Sequence, residues 1–351
     1  MKSIPSQIIT VVAVSVLSTI AVAGSPSRVP AFGLPRDGGQ AKDQSKDKKQ
    51  SPPSDAEQKA MAKVEAAADT PAKIQAAGEF VKKYPKSSLR PRVIGYVVQE
   101  IDKLPDATQR FTQFESVQTM FKDPADAEVI APILVEAYFK ENRFDDGFRV
   151  ASEYLPKSND LALLTRVAMI GVEQAKQRNP KFVAQAQQFG TKAIEIIESG
   201  KKPETIDDAK WSEYQTRWLP SLYQSLGMLS MMTGNRDDAR TKINKALSLN
   251  NKDPFSYVLL GSMLNEEYQQ LAQQHKTLTA GPQRDSVLKQ AHDKLDQIID
   301  AYAHGVGLSE GNPAYQVLHD QILQDLQSYY KYRHGGSTDG LQQLIDKYKQ
   351  P

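Results

Sequence analysis

The stretch SLYQSLGMLSMMTGNRDDARTKINKAL, residues 221–247, contains a Leu-Gly pair at 226–227, and the next Leu-Gly pair follows 34 residues later at 260–261. Tyr223 and Tyr257 precede the two pairs at the same offset. Apolar residues recur at the helical period on both sides of the Thr-Gly-Asn turn in this stretch. The stretch therefore predicts two helices joined by a turn, in a unit that repeats every 34 residues.

The small residues of this unit predict a close helix pair. Gly227 and Ala239 let the two helices approach each other, and Leu226 and Ile243 are expected to fill the seam between them. Gly234 is expected to end the first helix with a positive φ, a conformation that glycine adopts at no steric cost.

Segment 220–253 resembles a tetratricopeptide repeat, the 34-residue helix–turn–helix unit. In that family the first helix carries a bulky residue and then Leu-Gly, and the second carries Ala, a large apolar residue and Ala. The matching residues are Tyr223, Leu226, Gly227, Gly234, Ala239, Ile243 and Ala246. A second unit starts at Pro254 in the same register, with Tyr257, Leu260 and Gly261. That unit then departs from the pattern, because its first helix runs on toward a loop near Gly281. A weaker unit covers 128–161.

From Asp55 onward the helical period recurs and no strand is predicted. Short loops rich in Pro, Gly, Asn or Asp separate the helices. The predicted helices are 56–68, 71–84, 88–102, 106–121, 126–140, 143–154, 159–176, 180–198, 206–232, 235–248, 253–277, 284–302, 312–332 and 337–349. Pro220 is expected to kink or split one of them. The helices pair as seven hairpins, so we expect an all-α fold, an α-solenoid of stacked hairpins similar to a tetratricopeptide superhelix, over 55–351.

The amino-terminal region has the pattern of a targeting segment. One lysine precedes an apolar stretch, 8–23, that ends in Ala-Val-Ala, the small-x-small pattern of a cleavage site. We expect a signal peptide, 1–23, that is cleaved after Ala23 and sends the protein to the periplasm or the medium. The alternative is an uncleaved membrane anchor, although the stretch is shorter than the roughly 20 residues that span a bilayer.

Residues 24–54 are rich in Gly, Pro, Ser, Lys and Asp, with six basic and three acidic residues. This composition predicts a disordered linker. The interpretation is a solvated spacer; the alternative is weak attraction to anionic lipid or cell-wall polymer.

Composition excludes several classes of function. The formal net charge of +2 argues against a nucleic-acid-binding protein with a strongly basic face. The absence of cysteine excludes disulfides, thiol catalysis and cysteine-ligated metals. None of the five histidines forms the i, i+4 pair of a zinc protease, and no phosphate-binding or dinucleotide motif is present. We therefore expect no metal, no cofactor and no tightly bound small molecule.

The predicted superhelix implies a concave groove lined by the first helix of each hairpin, in which such proteins hold a peptide or a partner helix. Several methionines of the groove would suit adaptable apolar recognition, and the alternative is that they pack against the adjacent hairpin. The expected groove residues are Glu136, Phe139, Gln224, Met228, Met231, Met232, Val258, Ser262, Asn265 and Glu266.

Paired acids are the main candidates for chemistry. The pairs at 145–146, 207–208 and 237–238 fall at predicted helix starts, where acidic residues are expected for the helix dipole; a fourth pair begins at Glu266. Glu198, followed by Ser-Gly, is similar to the Glu-Ser of cell-wall lytic enzymes. The leading hypothesis is a non-enzymatic exported adaptor for a protein or peptide. The alternatives are an assembly factor held by an uncleaved anchor, or a cell-wall or peptide hydrolase that uses Glu198 or Glu266.

A cluster of aromatic and basic residues lies near the carboxyl terminus. Its tyrosines are expected to pack under the last helix, and the alternative is a surface that stacks a sugar or contacts a partner. The cluster consists of Tyr329, Tyr330, Tyr332, Arg333 and His334.

Overall fold

A computed structural model describes residues 52–349 of the chain. All regular secondary structure in that range is helical, and the fold is the predicted all-α class, an α-solenoid of stacked helical hairpins. The predicted signal peptide lies outside the described residues, as do all but the last three residues of the predicted linker. Within the described range, no helix combines the length and the apolar character that crossing a bilayer requires.

The helices follow one another with short connections. Their bounds are α1 Asp55–Glu65, α2 Thr70–Lys83, α3 Arg90–Asp102, α4 Ala107–Met120, α5 Pro124–Lys140, α6 Phe144–Tyr154, α7 Leu161–Lys176, α8 Val183–Glu198, α9 Asp208–Glu213, α10 Leu219–Met232, α11 Arg236–Leu249, α12 Pro254–Thr277, α13 Pro282–Ser309, α14 Gln316–Arg333 and α15 Leu341–Asp346. Contacts group the chain into two compact units, whose described parts are 52–163 and 164–349. The boundary falls within α7, whereas the sequence predicted one repeat domain over 55–351.

The unit 52–163 is built from the hairpins α1–α2, α3–α4 and α5–α6, and α3 also packs against α2 and α5. An ion pair with a buried carboxylate joins α3 to α5. The guanidinium of Arg90 donates from Nε and Nη2 to the two oxygens of Asp126, each over 2.8 Å. Asp126 is 1% exposed, so this two-point pair fixes the register of the two helices.

In the unit 164–349, the predicted hairpin over 220–253 is formed by α10 and α11. Leu226, Ala239 and Ile243 are fully buried in its seam. A methyl group at Gly227 would lie 2.8 Å from Cδ1 of Ile243, so the helices contact each other closely at this glycine. Gly234 follows α10 with a φ of +77°, the conformation that the sequence predicts.

Pro220 changes the helix that the sequence placed over 206–232. In the structure α9 is followed by a π-helical turn, Tyr214–Trp218, and α10 then starts with Pro220 in its first turn. Proline has no N–H to donate to the carbonyl four residues before it. The wider turn therefore takes the place of the regular α-helical pattern just before the proline.

The end of the chain departs most from the predicted hairpins. The helix predicted over 284–302 continues to Ser309 as α13, and the one predicted over 337–349 is only the short α15. α13 packs along α12 and also against α14 and α15. The predicted pair 312–332 and 337–349 is therefore not a separate hairpin, because α15 packs chiefly on α13.

Candidate partner-binding surfaces

In the repeat that starts at Pro254, an aromatic residue of α13 packs against the glycine of the Leu-Gly pair of α12. A methyl group at Gly261 would lie 2.5 Å from Cδ1 of Tyr302, whose ring is fully buried. Tyr257, one turn before Gly261 on α12, stacks on the ring of His304 of α13, with centroids 4.4 Å apart. Leu260 is half-buried beside them. α13 thus takes the place of the second helix of this unit, although it starts later than the 34-residue pattern predicts.

Tyr223, the bulky residue in the first helix of the repeat 220–253, contacts α8. Burial is the main cause that raises the pKa of Tyr223 to about 12, and a hydrogen bond with Glu198 of α8 is the second. Lys245 of α11 pairs with the same carboxylate over 3.3 Å. Ala246 is buried one residue beyond that lysine. These contacts join α8, α10 and α11.

The methionines predicted to line the groove have different environments. Met228 is buried, Met231 is half-buried and Met232 is 41% exposed. The neighbouring Gln224 is half-buried, and its amide donates to Ser256 over 2.7 Å and also to Asp253. Of these four predicted groove residues, Met232 offers the most surface to a partner.

On α12 the predicted groove face is covered by the chain itself. Val258 is fully buried and lies 3.3 Å from the position that a methyl group at Gly305 of α13 would occupy. Asn265 is 3% exposed and accepts a hydrogen bond of 2.8 Å from the hydroxyl of Tyr329 on α14. Because α13 and α14 occupy this face, these two predicted groove residues leave almost no surface for a partner.

Two further groove candidates on α12 are half-buried and engaged in local contacts. Ser262 donates to the carbonyl of Val258 over 2.9 Å, the usual back-bond of a serine within a helix. Glu266 pairs with Arg236 at the start of α11 over 3.0 Å.

In the unit 52–163 the predicted groove residues are Glu136, which is half-buried, and Phe139, which is buried. The ring of Phe139 lies 5.4 Å from that of Phe148, and a methyl group at Gly147 would lie 2.7 Å from its Cδ1 atom. Phe139 therefore fills the seam of the α5–α6 hairpin. Glycine stands at 147, where the repeat family has alanine, because this ring leaves no space for a side chain.

Open hollows occur instead between other helices. In the unit 164–349, a hollow of about 480 Å³ lies between α11, α12 and α13. Its lining residues are Arg240, Tyr257, Leu260, Leu264, Asp296, Gln297, Asp300 and Ala301. In the unit 52–163, a hollow of about 430 Å³ lies between α2 and α4, beside Ile74, Gly78 and the exposed Met120.

The sequence did not predict the hollow between α11, α12 and α13, because the repeat pattern assigned Tyr257 and Leu260 to internal packing alone. One signal was present. The long first helix and the late loop near Gly281 show that the second helix of this unit is out of step with the pattern. A helix that is out of step leaves part of its partner's apolar side uncovered.

The paired acids have structural partners. Asp207 is the N-cap of α9 and accepts from the backbone N–H of Lys210 over 2.8 Å. Asp146 and Asp238 lie in the first turns of α6 and α11, and each also pairs with a basic residue close by. These acids are at helix starts, as the sequence predicts.

Glu198 is the last residue of α8, and its carboxylate pairs with Lys245 over 3.3 Å. Ser199 donates its hydroxyl to the carbonyl of Ile196 over 2.7 Å, and Gly200 follows with a φ of +68°. The Glu-Ser-Gly sequence is thus the carboxyl-terminal cap of a helix. Between residues 52 and 349, no three Asp, Glu or His side chains are grouped in a way that could hold a metal ion.

The carboxyl-terminal aromatic cluster is packed into the fold. Tyr329 and Tyr330 are buried, and the hydroxyl of Tyr330 donates to the carbonyl of Asp339, just before α15, over 2.7 Å. The ring of His334 stacks on Tyr330 with centroids 4.1 Å apart. Arg333 donates to both oxygens of Asp296 on α13, over 2.7 and 3.1 Å. Tyr332 is half-buried.

Comparison with models of known protein families found no match to this chain. A search of curated proteins also returned no match.

Proposed function

We propose that this chain is an exported, non-enzymatic adaptor that holds a segment of another polypeptide against its helices. The observation that carries the proposal is the pair of hollows between neighbouring helices, one in each unit, each lined partly by apolar side chains. Hollows of a few hundred cubic ångströms with a few polar groups at the rim are typical of binding sites. Helical hairpin arrays commonly use such surfaces to bind polypeptides.

The repeat pattern of the sequence supports the same function, because proteins with tetratricopeptide-like hairpins are binding scaffolds. The two carboxylates that the hydrolase alternative would use also favour the non-enzymatic function. Glu198 and Glu266 each pair with a basic side chain, Lys245 and Arg236 respectively. Each pair joins two neighbouring helices, which is a structural role for the carboxylate.

The site of action proposed here is the periplasm or the envelope, and the basis is the amino-terminal sequence. Mass spectrometry of the mature protein tests it. An amino terminus at Gly24 is the expected result. A terminus at Met1 in the membrane fraction would favour the alternative of an assembly factor held by residues 8–23.

Photo-cross-linking in living cells tests the adaptor proposal. A benzophenone amino acid is introduced in place of Met232 or of Gln297, which lines the larger hollow. Val317, 46% exposed on α14, is the matched control. A discrete cross-linked polypeptide from position 232 or 297, and not from 317, is expected. Equal or absent cross-linking at all three positions would contradict the proposal.

A further inference from the structure

The hollow between α11, α12 and α13 has an apolar floor. Leu264 and Ala301 are buried at its base, and Tyr257 and Leu260 are half-buried beside them. Its volume, about 480 Å³, is large enough to receive an apolar side chain from another molecule. The floor therefore favours an apolar side chain of a partner. The charges around the floor determine which charged group of the partner can lie next to that side chain.

The charges next to Leu264 are neutralised within the chain. Glu267, one turn beyond Leu264 on α12, pairs with Arg240 of α11 and, over 2.7 Å, with Lys294 of α13. These pairs join the three helices. Arg240 is therefore already bound to a carboxylate and is a weak attractor for an acidic partner.

Asp300, which lies near Tyr257, has a different environment. Its side chain is 53% exposed. It accepts a hydrogen bond of 2.5 Å from the hydroxyl of Tyr348, and Nδ1 of His304 lies 3.6 Å away. No lysine or arginine in the range 52–349 forms an ion pair with it, whereas Asp296, one turn earlier, is paired with Arg333. Lys347 donates to the hydroxyl of Tyr348 over 2.9 Å and forms no direct ion pair with Asp300. Asp300 thus places a half-exposed carboxylate beside an apolar floor.

We propose that this hollow binds a polypeptide segment that carries a leucine-sized apolar side chain next to an arginine or lysine. The apolar side chain contacts Leu260 and Leu264, and the basic group pairs with Asp300. This inference rests on the proposed function and names the chemistry of the partner. An acidic segment would be disfavoured, because its carboxylate would face the half-exposed carboxylate of Asp300.

Two synthetic peptides test the inference with the full chain. Both are fluorescein-labelled helical 14-mers with leucines on one face, and they differ only in having arginine or glutamate one turn after a leucine. Fluorescence anisotropy measures their affinities. Because a half-exposed ion pair contributes a modest free energy, we expect the arginine peptide to bind about fivefold more tightly. The difference should shrink at high salt.

Two matched variants locate the effect. Asp300→Asn keeps an oxygen that can accept from Tyr348 but removes the charge, so the preference for the arginine peptide should disappear. Asp293→Asn makes the same change on the same helix at an exposed residue that does not line the hollow, and the preference should persist. Circular dichroism confirms that both variants fold.

Equal binding of the two peptides, no binding of either, or the same loss in both variants would overturn the inference. Failure of this inference can be distinguished from failure of the adaptor proposal by the cross-linking experiment. A partner captured from position 232 but not from 297, with no peptide preference, would leave the adaptor proposal standing and remove this one. No capture at either position would remove the proposed function itself.

Discussion

Replacing Gly261 by alanine tests the close packing of α12 on α13. In an exposed helix interior this change stabilises a protein by up to about 1 kcal/mol, because alanine has the higher helix propensity. Here the added methyl group would lie 2.5 Å from Cδ1 of Tyr302, whose ring is fully buried. Overpacking of a core costs about 1–3 kcal/mol, and this contact belongs at the upper end. We expect a net loss of about 2 kcal/mol in the free energy of unfolding.

Tryptophan fluorescence during urea unfolding is a suitable assay. The chain has two tryptophans, Trp211 and Trp218, and both lie in the unit that contains the substitution. A double-mutant cycle then isolates the contact. In a Tyr302→Leu background the ring is gone, so Gly261→Ala should be neutral or slightly stabilising, which gives a coupling energy of about 2–3 kcal/mol.

The reasoning is refuted if Gly261→Ala stabilises the unit while Tyr302 is present. It is also refuted if the effect of the methyl group is the same with tyrosine and with leucine at 302. Either result would mean that this ring does not lie over the glycine.

Substitutions at two further positions test the same unit by urea unfolding. Burial raises the pKa of Asp325 to about 6, above its unfolded value, so the folded state binds the proton more tightly. The wild-type unit should therefore gain stability as the pH falls from 8 to 4, by up to about 2 kcal/mol relative to Asp325→Asn; parallel pH profiles of the two proteins would contradict this. Asp253 is the N-cap of α12 and accepts from the N–H of Ser256 over 2.7 Å. Asp253→Ala should cost about 1–2 kcal/mol, while Asp253→Asn, which keeps an acceptor, should cost less than half of that; equal losses would show that the cap is not responsible.

The hairpin α10–α11 could be predicted from the sequence because its determinants are local. The small residues at 227 and 239, the apolar residue at 243 and the turn glycine at 234 lie within one repeat. Each has a single steric consequence, and the structure shows these consequences in the buried seam and in the positive φ of Gly234.

The length of α13 could not be predicted in the same way. The sequence predicts that this helix ends at 302, and Gly305 and Gly307 beyond that point are poor helix formers. The structure keeps both glycines helical because other helices cover them. A methyl group at Gly307 would lie 2.7 Å from the carbonyl oxygen of Ile345, and one at Gly305 would lie 3.8 Å from Ile322. Tertiary packing overrides the local preference.

The candidate site was predicted less well than the fold, for a related reason. The first-helix face of α12 is covered through a contact between Asn265 and Tyr329, which are 64 residues apart. Nothing near Asn265 in the sequence indicates that α14 packs there. The hollow beside Leu260 depends on the late start of α13, which is again a matter of distant packing.

The contact of α15 with Gly307 makes the helical structure at the end of α13 depend on α15. Ile345 of α15 and Tyr348 just after it cover Gly307 near the end of α13, and Tyr348 also donates a hydrogen bond to Asp300 at the rim of the hollow. If α15 were displaced, Gly307 would lose this cover and the end of α13 would fray, because Gly305 and Gly307 disfavour a helix. The rim of the hollow would lose a hydrogen bond at the same moment. Backbone order at the end of α13 and occupancy of the hollow would then rise and fall together, which makes amide exchange in this segment a reporter of both.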